Sequence, residues 1–327
     1  MRDMLRLAAL GLITGSLLVM LYHAPGPVLR ELQLLVCILL LTIVTRSVPA
    51  AYGVSALALG MGIVVFLVIG AGYAMASLGL DTTSGITNWG LIPIVEEALK
   101  LAPVAVRAWR HTRRHALTLN PSDLLMLGCF AGAGFALVEN VALAQSGAAA
   151  ARDMARQYGP HAGGFYFVPG AWGVVGYVGH AAATGFIAGG YGIGLALEQK
   201  LGARWWIVPA MCAAWIVVEH MFTNLYVGTA SRIALIFGNG ALTPWLFVVM
   251  AGTIAGIDIV RHRETLARSR TLRFRVRMTR AAVLRTAPPV PRSRAAALRL
   301  YLSQLRLVNA TGWFTRGMSA PQRVENL

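Results

Sequence analysis

Apolar runs long enough to cross a hydrocarbon layer, roughly 20 residues each, recur along most of the chain and are separated by short polar or Gly/Pro-containing breaks. The runs predict helices near 5–22, 28–46, 52–77, 86–107, 122–146, 171–197, 205–226 and 240–260. The expected fold is therefore all-α: a polytopic membrane helical bundle of about eight transmembrane helices. Arg107, Arg110, Arg113 and Arg114 follow the fourth run, Lys200 and Arg204 follow the sixth, and a basic tail follows the eighth. Lys and Arg concentrate in cytoplasmic loops, so this spacing predicts that both termini are cytoplasmic, and Arg2, Arg6 and Arg46 agree with that threading. Residues 1–260 form the expected bundle, with residues 261–327 as a basic cytoplasmic tail.

Composition agrees with this pattern. Hydrophobic residues make up 57% of 327 positions and charged residues 13%. A water-soluble globule of that composition would have an apolar exterior, so the solvent must be lipid. The formal charge of +16 would suggest nucleic acid if it were spread over one face. Instead it collects beside span ends and in the tail, where anionic headgroups are the natural partner and no nucleic acid is expected. The tail has a break at Pro288, Pro289 and Pro291, then a helical stretch through Leu298, Leu300, Leu302 and Leu305. It reads as a membrane-hugging segment. Cys37, Cys129 and Cys212 lie in apolar runs and read as small core residues. The N-terminal run has no small-residue cleavage site and is expected to be a retained helix. The segment from Gly147 to Ala171, with Asp153, Arg156 and His161, is expected on the opposite face as a connector, with a substrate-contacting lid as the alternative.

Candidate chemistry comes from residues that are costly in hydrocarbon. A carboxylate at the bilayer centre costs at least ~2.5 kcal/mol, so such groups persist mainly where they pair or work. Glu96, Glu97 and Lys100 fall in the fourth run, Glu139 and Asn140 in the fifth, His180 in the sixth, and Glu219, His220 and Asn224 in the seventh. Asp258 is close enough to the cytoplasmic interface to need no special account. Residues four apart share a helical face, which groups Glu96 with Lys100, Phe135 with Glu139, His180 with Thr184 and His220 with Asn224. At 1.5 Å per residue from the expected outer ends, Glu96 lies roughly 15 Å down, His180 roughly 13 Å, and Glu139 and His220 roughly 10 Å. One polar cluster in the outer half of the bilayer follows.

Water activation, protonation of a leaving amine and oxyanion binding need a carboxylate, an imidazole and hydrogen-bond donors, which this set contains. No Ser or Cys stands in a nucleophile arrangement, so attack by activated water is expected. Glu96 and Glu97 project about 100° apart, so one should face the water while the other orients it or pairs with Lys100. Glu219 is expected to make an ordinary interhelical bond. Glu139, His180 and His220 have zinc-ligand chemistry, which makes a divalent metal such as zinc an open option for the cofactor.

The run Pro93-Ile94-Val95-Glu96-Glu97-Ala98-Leu99-Lys100 resembles the E-E-x-x-K motif of PrsW-type intramembrane proteases. Gly134-Phe135-Ala136-Leu137-Val138-Glu139-Asn140 resembles their F-x-x-x-E-N segment, Gly179-His180 through Thr184 and Gly189-Gly190-Tyr191-Gly192 their third motif, and His220-Met221-Phe222-Thr223-Asn224 their H-x-x-x-N. The motifs occur in family order and span about residues 85–226. The family is similar to the wider group of CAAX prenyl endopeptidases and Abi proteins, which carry His where this chain has Glu139. The resemblance implies a membrane-embedded endopeptidase acting on membrane-anchored proteins, of the single-span, anti-sigma-factor kind, in a bacterial plasma membrane. It also implies Glu96 as water-activating base supported by Glu97, Glu139 and His180 completing the water or metal site, and His220 with Asn224 binding the oxyanion. The family is described both as metal-dependent and as glutamate-type, so the resemblance leaves the metal open. A proton-coupled transporter or channel is the alternative reading of the same buried groups, and it would show related polar sites in two repeated halves, which the sequence lacks.

Overall fold

The computed structural model describes residues 14–22, 25–81, 86–115, 119–145, 178–225, 242–268, 273–274, 276–277 and 294–314. Among these residues the chain is helical apart from turns and has no strand. Residues 14–22 are helical. They are followed by α1 (Pro25–Leu41), α2 (Ala50–Ser77), α3 (Ile92–His115), α4 (Pro121–Gln145), α5 (His180–Leu201), α6 (Ile207–Leu225), α7 (Leu242–Arg268) and α8 (Arg294–Phe314). The N-terminal residues 1–13 of the first expected helix and the Gly147 to Ala171 loop lie outside the described residues.

Three described helices are long and apolar enough to cross a membrane: Ala50–Ser77, the Pro121–Glu139 part of α4, and α7. The pair His180–Arg204 and Ile207–Phe222, bent by 110° at a short break, meets the same test together and brings the number to as many as four. Helix α3 is less apolar because of its own chemistry, carrying Glu96, Glu97, Lys100 and Arg107.

Helix α4 is the centre of the bundle. Of its span, 94% is buried, against 22% for α2, whose remaining surface suits lipid. Its run of Gly128, Ala131, Gly132, Ala133, Gly134 and Ala136 lets neighbouring backbones approach from several sides, which is how helices associate where lipid removes the hydrophobic driving force. A Cβ on Gly134 would stand 2.2 Å from the Leu57 carbonyl oxygen of α2, and one on Gly60 would stand 2.2 Å from that of Ala131. Gly60 opens a π turn, Gly60–Val64, where the α2 backbone widens against α4. On the other side, a Cβ on Gly132 would lie 2.1 Å from the His180 carbonyl oxygen of α5.

Several boundaries differ from the sequence expectation for identifiable reasons. Helix α1 ends at Leu41 instead of near 46. Beyond it, Thr42 returns its hydroxyl to Ile38 O (2.7 Å), and Asp123 of α4 captures the next amides, Ser47 N (2.9 Å) and Val48 N (3.1 Å). Asn120 and Asp123 cap α4 reciprocally, Asp123 N donating to Asn120 Oδ1 at 2.8 Å and Asn120 N to Asp123 Oδ2 at 3.2 Å. Asp258 does need an account: it is 2% exposed and accepts the Ser122 amide at 2.9 Å, placing a carboxylate at the positive end of the central helix. Helix α5 starts at His180, well inside the expected 171–197 run, because Gly179 turns the chain with φ of 88°. That backbone conformation is costly for any residue with a Cβ.

The expected tail is also attached to the bundle. Leu305 and Val308 of α8 pack with Val276 and Leu266. The Asn309 amide donates to Val44 O (2.9 Å) and Arg46 O (3.2 Å), while its Oδ1 meets His262 Nδ1 of α7 at 2.6 Å.

Gly132→Ala is expected to destabilise the bundle by about 1–3 kcal/mol, since backbone rather than a flexible side chain must move. Thermal unfolding in detergent checks this, and an unchanged melting temperature would show that the α4–α5 seam is looser than its geometry implies.

Candidate active site

Four helices deliver the polar residues to one end of the bundle. Glu96, Glu97 and Lys100 occupy the start of α3, Glu139 lies near the end of α4, His180 is the first residue of α5, and His220 lies near the end of α6. Alternating helix direction brings two starts and two ends together, so the side chains meet at one end of the bundle.

Glu97 and Lys100 form its buried core, 2% and 0% exposed. Lys100 Nζ lies 2.7 Å from Glu97 Oε1 and 3.8 Å from Glu96 Oε2. Of the two adjacent carboxylates it therefore bonds Glu97, leaving Glu96 with a longer ion pair. An ammonium only donates, so its 2.6 Å contact makes His180 Nδ1 the acceptor. The His180 ring proton then lies on Nε2 and is donated to Glu139 Oε2 at 2.5 Å. His220 follows the same logic: Nδ1 donates to Glu97 Oε1 at 2.9 Å, which turns Nε2 toward Glu96 Oε2 at 3.8 Å. Each imidazole thus has a carboxylate on one nitrogen, a relation that fixes its tautomer and orients the other nitrogen inward.

Phe135 closes one side. Its ring meets His180 edge-on with centroids 5.0 Å apart, and Lys100 Nζ lies 4.8 Å from its centre, so the ring holds both without competing for hydrogen bonds. The His180 and His220 rings are 5.4 Å apart. Thr184 is buried one turn along from His180, at the α4 seam beside Gly132. Glu219 is buried, with Thr243 of α7 near its carboxyl. The side chains of Asn140 and Asn224 lie outside the described residues.

Residues 48–257 match the PrsW family of intramembrane metalloproteases. The chain belongs to this family. No curated protein and no solved structure gives a significant match. The PrsW assignment makes the chain an integral membrane protein and a protease that acts on membrane proteins.

The donor types suit a divalent metal, with a different carboxylate from the one the sequence suggested, and His180 would have to exchange its bond from Lys100 for the metal. Among the described residues, Glu96, His180 and His220 bring one ligand atom each within 4.8 Å of one another. Glu139, the sequence candidate, stands against His180 instead. Glu96 Oε2 is buried and has no hydrogen-bond partner among the described residues, an acceptor aimed at a centre where a cation would satisfy it. Two imidazoles and a carboxylate are a zinc-type donor set. Periodicity does not distinguish Glu96 from Glu139, whereas the side-chain directions do: Glu96 turns toward the two histidines and Glu139 toward His180 alone.

Lys100→Met leaves the Glu97 carboxylate buried beside His220 without its ammonium and is expected to cost about 3–5 kcal/mol. The double variant Lys100→Met/Glu97→Gln should recover part of that loss, and thermal unfolding of the set measures the coupling.

Proposed function

We propose that this PrsW-family protein cleaves single-span, membrane-anchored substrates near the outer face of a bacterial plasma membrane, with Glu96, Glu97, Glu139, His180 and His220 as its catalytic apparatus. The observation that carries this reading is the convergence of Glu96, His180 and His220 beside a buried carboxylate oxygen without a hydrogen-bond partner. Such an arrangement stores unsatisfied acceptor capacity, which attacking water can use.

Glu96 is placed to take the proton of that water, since its Oε2 faces His220 Nε2 across 3.8 Å. Glu97 bonds Lys100 and His220 together and keeps the His220 ring in one tautomer. Glu139 has the most solvent access of the cluster, with 32% of its side chain exposed, and holds the His180 proton, so the pair can relay a proton to the leaving amine. A divalent metal held by Glu96, His220 and, once its Nδ1 is released from Lys100, His180 would supply Lewis acidity and lower the pKa of a bound water. By family resemblance, Asn224 helps His220 bind the oxyanion. A substrate of the anti-sigma-factor kind suits a site in the outer half.

This reading includes eight spans, both termini in the cytoplasm, and kinship with the CAAX/Abi group. It also includes a protease core over about residues 85–226 within a bundle of residues 1–260. The positive loops after α3 and α5 support the threading.

Glu96→Gln and His180→Ala variants, shown to be folded and inserted, should lose at least about 100-fold in cleavage. Single-span proteins accumulating uncut in cells that carry Glu96→Gln, and processed again with wild type, would identify the substrate. Full processing by either variant defeats the catalytic assignment. Cysteine labelling should find residues 147–171 outside the cell; labelling from the cytoplasm defeats the threading alone.

A further inference from the structure

Below the proposed catalytic cluster, α3, α4, α5 and α6 line an open cavity of about 610 Å³ that the proteolytic reading does not use. One wall is a stripe of α3, Leu101, Val104, Ala105, Ala108 and Trp109, faced by Ile187 and Tyr191 of α5 and Pro209 and Ala213 of α6. The stripe begins next to Lys100 and runs toward the positively charged end of α3, a distance of ~12 Å over eight residues. The cavity opens where the lining becomes exposed, at Ala105, Trp109 and Tyr191.

The two ends differ in chemistry. The inner part is aliphatic. At the mouth, Trp109 and Tyr191 are 53% and 40% exposed, and Tyr191 stacks edge-on with Trp205 at 5.5 Å, the side-chain types that gather at headgroup level. In sequence, Arg110 follows Trp109 on α3, and Lys200 and Arg204 come nine and thirteen positions after Tyr191, all exposed. A ligand matching this sequence of environments has an apolar chain, an interfacial middle and an anionic head. The volume is in the range of single-ligand pockets.

We propose that this cavity is a binding site for an anionic phospholipid, with one acyl chain lying along the α3 stripe and the headgroup phosphate held by Arg110, Lys200 and Arg204. The assignment to the inner leaflet rests on the threading proposed above. The acyl chain would pack against the helix that carries Glu96, Glu97 and Lys100, so lipid occupancy supports the position of that helix.

The test uses the full chain purified in detergent, with native mass spectrometry during titration by phosphatidylglycerol or phosphatidylcholine of identical acyl chains. Wild type should retain one phosphatidylglycerol at about tenfold lower concentration than phosphatidylcholine. Ala105→Trp, which fills the mouth, should abolish retention of both. The triple variant Arg110→Gln/Lys200→Gln/Arg204→Gln should bring phosphatidylglycerol to the phosphatidylcholine level. Equal retention of the two lipids by wild type, or wild-type retention by Ala105→Trp, overturns the proposal. A photo-crosslinker at position 105 in native membranes should capture lipid; a polypeptide adduct instead would assign the cavity to substrate and overturn it. Binding in detergent is independent of orientation and cleavage, so failure of the threading or of the catalytic assignment would leave these results unchanged.

Discussion

Glu97 and Lys100 have been removed almost entirely from water, and everything at the active end of the molecule is arranged around making that tolerable. A buried ion pair is held only if its remaining lone pairs and protons find partners. Glu97 Oε1 takes bonds from both Lys100 and His220, and Lys100 gives another to His180. The pair thus fixes the tautomer of each histidine, and each histidine fixes the direction of a further carboxylate, Glu139 or Glu96. A structural ion pair and the candidate site are here one network, and Glu96 Oε2 belongs to it without a hydrogen-bond partner among the described residues.

That network needs four helices held at distances smaller than ordinary side chains allow. Glycine on α4 supplies them. Gly132 lets the α5 backbone approach where His180 begins the helix, and Gly134 meets α2 at the π turn opened by Gly60. At the other end of α4, a second polar network performs a purely structural task. Asp123 gathers the amides that follow α1, and Asp258 caps the helix from α7. The central helix is consequently anchored at one end by buried carboxylates and carries Glu139 at the other. Asn309 ties α8 to the same anchored end, so the basic C-terminal region contributes to the packing of the bundle as well as to its charge.

Much of this was legible in the residues. Polar side chains within apolar runs marked α3 to α6, their spacing put the ledges on defined faces, and four ordered motifs pointed to the family that the match over residues 48–257 establishes. The residues less visible were those whose importance lies in what they touch. Asp258 looked ordinary because its partner, the Ser122 amide, is 136 positions away in sequence. Thr184 shared a face with His180 on paper, yet it sits beside Gly132 in the α4 seam.

The sequence by itself determined the solvent, the helical class and the chemical types in the site, because hydropathy and periodicity are local properties. Only the tertiary structure decided that Lys100 bonds Glu97 in preference to Glu96, that Glu96 joins the two histidines while Glu139 orients one of them, and that α5 begins at His180. Those choices depend on the rotation of each helix about its axis and on glycine contacts between segments far apart in the chain. A one-dimensional pattern records which face a residue shares but not what that face meets.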